Sequence, residues 1–219
     1  YEARIWERPQ WYEHNAPLVE KYGIAERDTE WDSRWWSPII DAEHLALREN
    51  VGMVDLSAFQ IFDLTGPGAV AFADYLAVNK VDVDVGRAVY TPWLTPGGGF
   101  HSDLTMMRLD DDHVRVVTGA FDGGRDAFWI RKHMPRNGSV TVTDVTRQVC
   151  TIGLWGPNAP AVLDPLTEAS LNQQGSPYGW VIDAEVAGVS CQLFRISYVG
   201  DTGWEIYTSW EDGPTLWDA

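Results

Sequence analysis

Short β-type runs, helical runs between them and turn signals set as hairpins together predict an α+β fold of antiparallel sheets and packed helices. Residues 89–94 and 100–109 flank Pro96-Gly97-Gly98-Gly99, the pattern of two strands joined by a glycine-rich loop. Residues 180–186 and 189–198 flank Ala187-Gly188 in the same manner. No strand–helix–strand unit repeats along the chain, which argues against a parallel sheet. With 219 residues, 45% hydrophobic and 22% charged, the chain can bury a sizeable core, and wholesale disorder is excluded.

Taken in order, residues 1–40 form an aromatic, charged and turn-rich arm, with a short helix over 15–22 that holds Pro17 in its first turn. Asp41 caps a helical segment carrying Leu45, Leu47 and Val51 that stops at Gly52. Residues 54–64 are extended and end at Gly66-Pro67, after which Ala69, Phe72, Ala73 and Leu76 follow helical spacing. Asp110-Asp111-Asp112 is a polar turn between the 100–109 strand and another over 113–118. Residues 122–134 suit an amphipathic helix with Ala127, Phe128, Ile130 and Met134 inward. Val140, Val142 and Val145 alternate with Thr as a half-exposed strand does. A strand over 150–155, a helix over 157–166, a short strand over 204–208 and a helix from 211 complete the set.

One segment echoes another. Leu64-Thr65-Gly66-Pro67-Gly68-Ala69 with Leu76 matches Leu154-Trp155-Gly156-Pro157-Asn158-Ala159 with Leu166, each a strand, a Gly-Pro turn and a helix that proline opens. Two copies predict two related subdomains, 41–138 and 139–219, behind the 1–40 arm.

Sixteen Lys and Arg against 32 Asp and Glu give a net charge of −16, a field that repels polyphosphate and makes nucleic acid a poor partner. No run approaches the ~20 apolar residues of a membrane span. Cys150 and Cys191 sit in apolar strand-like runs and are expected as buried, reduced thiols. The five histidines are dispersed, with no metal-ligand spacing. Sparse cysteine and the lack of a signal-peptide core lead to the expectation of a cytoplasmic protein, and the terminal residues to that of an excised piece whose last helix is cut. Five of the 12 Trp stand at 6, 11, 31, 35 and 36, either as an arm packed on the body or as a stacking surface for a flat ligand.

No Gly-x-Gly-x-x-Gly follows a strand and no P-loop exists, so a dinucleotide cofactor is not expected. The chemistry lies elsewhere. Asp103 follows the glycine hairpin and precedes Leu104, Met106 and Met107. An acid in an apolar strand costs desolvation unless it is paired, and such a group is a candidate to polarise or deprotonate an amine. A hairpin Asp satisfied by backbone N–H groups is the plain alternative. Glu205, between Trp204 and Ile206, can accept two parallel hydrogen bonds from an amidine-like heterocycle edge, or can face solvent. Arg195 and Tyr198 are ordinary strand residues, or in the case of Arg195 a local positive charge for an anionic ligand.

Five stretches in order carry a resemblance: Met53-Val54-Asp55-Leu56-Ser57, the two Gly-Pro turns, Gly98-Gly99-Phe100-His101-Ser102-Asp103-Leu104, and Arg195 through Glu205 with Tyr198, Gly200 and Gly203. Over residues 41–219 the chain resembles the folate-binding aminomethyltransferases of the glycine-cleavage T-protein type. Val89-Tyr90-Thr91 with Ser102-Asp103-Leu104-Thr105 is most similar to the C-terminal folate domain of dimethylglycine and sarcosine dehydrogenases. Trp6-Glu7-Arg8-Pro9-Gln10-Trp11-Tyr12 resembles the stretch joining flavin and folate parts in those enzymes.

The resemblance implies a T-protein-like fold around a central folate channel, here without the family's C-terminal β domain and the basic residues it adds. It implies tetrahydrofolate as cofactor, Asp103 as the catalytic carboxylate, Glu205 as the acid gripping the pterin, and Tyr90, Tyr198 and Arg195 along the channel. Phe59 stands where the T-protein pattern has Met, and Gly119 where it has Asn, which removes one polar contact. The implied activity is transfer of an aminomethyl or methylene unit. Its donor is a methylated amine oxidised on a flavin dehydrogenase domain, or an aminomethyl group on a lipoyl protein. A folate-dependent demethylase shares the scaffold. A non-catalytic folate-binding regulatory protein is disfavoured, because its Lys-Gly-Cys-Tyr-x-Gly-Gln-Glu motif is absent.

Overall fold

The computed structural model describes residues 1–3 and 6–219. Strands β1 (Glu2–Ala3) and β2 (Trp6–Glu7) pair as a short ribbon and are followed by α1 (Pro17–Tyr22), α2 (Glu30–Ser33) and α3 (Pro38–Glu49). The body follows as β3 (Gly52–Asp55), β4 (Gln60–Thr65), α4 (Ala69–Leu76), β5 (Ala88–Leu94), β6 (Phe100–Asp110), β7 (His113–Thr118), α5 (Gly123–His133) and β8 (Thr141–Asp144). It continues with β9 (Val149–Trp155), α6 (Ala159–Leu163), β10 (Val181–Val186), β11 (Val189–Arg195), β12 (Gly203–Ser209) and α7 (Gly213–Trp217). Three departures from the sequence reading have local causes. The cap of α3 is Ser37, whose Oγ accepts from the Ile39 N–H ahead of Pro38 at the first turn, so the helix begins before Asp41. The extended run over 54–64 is broken by a turn at Leu56–Phe59, closed by the Phe59 N–H to the Leu56 carbonyl. Arg195 ends β11, which leaves Tyr198 on a loop.

Two five-stranded antiparallel sheets result, ordered β5-β6-β7-β4-β8 and β10-β11-β12-β9-β3. Position for position they share one topology, with the echoed strand–Gly-Pro–helix segments at β4–α4 and β9–α6. The edge strands are exchanged: β3 leads into β4 along the chain but pairs with β9, while β8 leads towards β9 but pairs with β4. A cut at 138/139 would separate β8 from the sheet it edges.

Each sheet buries one face under helices and the other against its partner sheet. Phe62, Leu64, Trp93, Leu104, Met106 and Val116 pack under α4 and α5. Ile152, Leu154, Leu193, Trp204 and Ile206 pack under α6 and α7. Between the sheets lie Ile61, Met107, Val117, Val149, Phe194 and Tyr207. Full burial of one such apolar side chain contributes about 1.5–3 kcal/mol. In α5 the inward residues are Gly123, Asp126 and Ile130, while Phe128 lies on the exposed side, contrary to the expected face. The arm docks through Trp6 against Trp210 at 5.3 Å and through Arg8, which donates to the Asp55 carbonyl at 2.7 Å, whereas Trp31 and Trp35 face solvent. Among the described residues no helix is long and apolar enough to cross a membrane, and no His, Cys, Asp or Glu cluster could hold a metal ion. Cys150 and Cys191 are free, the first half-buried and the second buried.

A backbone bridge between Arg87 and Trp180 and a side-chain contact from Arg115 both tie the sheets together. Arg115 on β7 forks onto Asp63 of β4, Nε to Oδ1 at 2.8 Å and Nη2 to Oδ2 at 3.0 Å, and reaches Gln192 of β11 with Nη1 at 3.3 Å. Burial alone raises the Asp63 pKa, but His113 and Arg115 outweigh it and hold the carboxyl at about 2. A folded pKa below the unfolded value gives stability that is present above the unfolded value and is lost as pH falls through the folded one. Asp63→Asn is therefore expected to lose about 2 kcal/mol at neutral pH, with the gap to the parent closing as pH falls from about 4 towards 2. Urea unfolding of both proteins across that range measures it, and a gap that stays constant contradicts it.

Candidate functional site

The side-chain alternation of β12 aims Glu205 and Tyr207 into the space between the sheets, while Trp204 and Ile206 point to the helices. Glu205 is 2% exposed. Its Oε1 accepts from the Tyr198 hydroxyl at 2.6 Å, and its Oε2 accepts from the Tyr207 hydroxyl. Burial raises the Glu205 pKa, and the two hydroxyls oppose that rise. Both tyrosines are pushed well above the usual phenol range, by burial of the hydroxyl end first and the neighbouring carboxylate second. Tyr198 is 63% exposed, so its ring is the outer cover of the acid.

Trp155 completes this side. Its indole N–H donates to the Ile196 carbonyl at 2.8 Å, which pins the loop carrying Tyr198, and the two rings meet edge to face at 5.6 Å. The ring has room only because Gly153 and Gly203 lack side chains. A Cβ at Gly153 would stand 2.0 Å from the Trp155 ring, and one at Gly203 would stand 2.4 Å from it. The sequence reading missed Trp155 and Tyr207. Their signal is period-two spacing on a strand: Gly153-x-Trp155, and Glu205-x-Tyr207.

The first sheet carries the other candidate acid. Asp103 on β6 is exposed and accepts from the Tyr90 hydroxyl of β5, so it bears no desolvation cost and is satisfied by a phenol instead of backbone N–H groups. That contact raises the Tyr90 pKa. Gly119 lies just past the end of β7, where its carbonyl accepts from the Asp122 and Gly123 N–H groups of the turn into α5, and Phe59 packs against the inter-sheet core. The Tyr90 hydroxyl adds, last among the causes, to the rise in the Tyr198 pKa, which sets the two phenols in the same neighbourhood.

Arg195 stands apart. It shares the helix-side face of β11 with Cys191 and Leu193, lies over the Trp204 ring at 5.6 Å, and donates to the Ser176 carbonyl at 2.9 Å. Of the seven residues singled out in the sequence, Phe59, Tyr90, Asp103 and Glu205 fall on the inter-sheet face, Tyr198 reaches Glu205 from its loop, Gly119 follows the end of β7, and Arg195 braces the 171–176 loop on the helix side. A carboxylate has about four lone-pair sites, so Glu205 retains acceptor capacity beyond its two phenols. Displacing Tyr198 would leave a buried acid in an aromatic setting, suited to a flat ring with paired N–H donors.

Two antiparallel sheets of one topology, packed face to face, are a defined class, and sequence comparison gives it a name. The profile of the GCVT N-terminal domain family matches residues 1–219, and the chain belongs to that family. It is 32% identical over 208 residues to the aminomethyltransferase of Anoxybacillus flavithermus, covering 93% of this chain and 56% of that protein. It is 28% identical over 215 residues to human mitochondrial dimethylglycine dehydrogenase, covering 98% of this chain and 24% of the other. The chain spans about half the length of the curated aminomethyltransferases it matches. Among solved structures, the glycine cleavage system aminomethyltransferase T of Bartonella henselae superposes with a TM-score of 0.70 at 24% identity, over 80% of this chain and 46% of that one. Heterotetrameric sarcosine oxidase of Corynebacterium sp. U-96 gives 0.59 at 15% identity, over 80% of this chain and 86% of its own. The T-protein-like fold expected from the sequence is the fold observed.

Gly153→Ala is expected to displace the Trp155 ring, free the Tyr198 loop and cost about 1–3 kcal/mol. Chemical denaturation measures the cost, and a blunted indole fluorescence response reports the ring. An unchanged midpoint would show that the ring needs no such space.

Proposed function

We propose that this domain binds tetrahydrofolate between its two sheets and serves one-carbon transfer, with Glu205 holding the pterin and Asp103 acting at the reacting amine. The observation that carries this reading is the buried Glu205 carboxylate, held by two phenols, one of them exposed. The residues fit the group: an acid with spare acceptor capacity, walled by Trp155, Tyr198 and Phe194, matches a flat heterocycle edge carrying adjacent N–H donors. When bound, tetrahydrofolate supplies a nucleophilic nitrogen for the one-carbon unit. Glu205 orients the ring, and its low-dielectric surroundings strengthen each hydrogen bond made to it. Asp103 stabilises positive charge developing on the amine and accepts its proton at Oδ1, the oxygen that Tyr90 leaves free.

Similarity along 98% of the chain to a dimethylglycine dehydrogenase supports a methylated amine, oxidised on a flavin domain, as the donor. Similarity to aminomethyltransferases supports an aminomethyl group on a lipoyl protein as the other source. Tetrahydrofolate titration followed by Trp fluorescence tests the reading. Saturable quenching is expected in the parent and is expected to be lost in Glu205→Ala. Asp103→Asn is expected to keep the quenching and, in the full-length protein, to slow transfer by about 100-fold or more. Quenching unaffected by Glu205→Ala, or absent from the full-length protein, overturns the assignment.

A further inference from the structure

Asp126 is a carboxylate that neither the apolar core nor the site above requires. It is fully buried on the inward face of α5. Its Oδ2 accepts from Ser102 Oγ at 2.8 Å and from Thr118 Oγ1 at 2.5 Å. Its Oδ1 completes no hydrogen bond and lies 3.5 Å from His101 Nε2 and 3.6 Å from Arg125 Nε. The His101 ring stacks on Trp129, also on α5, at 4.1 Å. A buried acid is often replaced by a well-packed apolar residue at no loss of stability, so its presence calls for a role other than stability, and register is the best-attested one.

The register here is irregular at the point where it matters. Trp93 pairs with Ser102 but Leu94 pairs with Phe100, so β6 advances two residues while β5 advances one, and His101 is the extra residue of a bulge. In consequence two consecutive side chains, His101 and Ser102, both turn to α5, and Asp103 falls on the opposite face beside Tyr90. Regular pairing continued from Leu94↔Phe100 would set Asp103 opposite Thr91, which is fully buried. A one-residue slip moves a strand's side chains to the other face.

We propose that Asp126 is a positioning residue that locks this bulge: by gripping Ser102 of β6 and Thr118 of β7, with His101 stacked above, it fixes the phase that turns Asp103 away from α5, beside Tyr90. The register claim stands on the geometry alone, and its catalytic consequence rests on the folate reading. The test is NMR on the parent, Asp126→Ala and Ser102→Ala without ligand, the last removing one donor should the first fail to fold. Expected in the variants are loss of the cross-strand contacts of Trp93 with Ser102 and of Thr91 with Leu104, and a fall of Tyr90 phenol ionisation towards the ordinary value, as in Asp103→Asn. Destabilisation alone would lower the melting temperature and leave both signals in place, which overturns the proposal. In the full-length protein transfer is expected to fall by about 100-fold while tetrahydrofolate binding stays within about twofold. A lost register in a protein that never binds tetrahydrofolate would keep the lock and dismiss the folate reading.

Discussion

The apolar layer between the sheets is the constraint from which the rest follows. Ile61, Met107 and Val117 from one sheet meet Val149, Phe194 and Tyr207 from the other. Because strand side chains alternate, committing these residues to the interior commits their same-face neighbours as well. Tyr207 brings Glu205 with it, and Met107 brings Asp103, four residues along β6. The deep acid is sealed by the layer, and the outer one stands where the layer gives way to solvent. One packing decision thus separates a buried carboxylate from an exposed one.

Glu205 shows how such a group is kept. Removed from water, a carboxylate is costly unless hydrogen-bonded donors replace the lost hydration. Tyr198 and Tyr207 do so from opposite sides, one exposed and one buried. The buried phenol is fixed by its surroundings, and the exposed one is held by the acid alone at its hydroxyl. Trp155 holds the backbone of the loop that carries Tyr198, so a movement of that residue is a ring movement on a pinned chain.

Much of this was legible from residues alone. The 89–109 hairpin and the Ala187-Gly188 turn could be located because turn chemistry is local; both of the latter residues adopt positive φ, as a two-residue hairpin requires. Glu205 stood out by its apolar flanks. The sequence could not say which face Arg195 occupies, since that depends on where β11 meets its neighbours. The inward face of α5 misled for a different reason: hydrophobic spacing points to Phe128, whereas the helix is phased on Asp126, whose partners Ser102 and Thr118 lie on two other elements. The Gly153-x-Trp155 spacing hints at Trp155, but the space that Gly203 leaves for its ring comes from another strand and is not written beside it. Polar contacts between distant strands leave no periodic trace.

The exchanged edge strands bear on how such a chain can arise and be divided. Each half carries a strand for a sheet it does not complete and lacks the one that would close its own. A half made alone would expose the long flank of β4 or β9, a template for indiscriminate pairing. Two copies of an ancestral half could satisfy each other only by trading those strands, as swapped dimers do. The present molecule therefore has the wiring of an intertwined dimer written into one polypeptide, and fragment complementation, not independent expression of either half, is the way to take it apart.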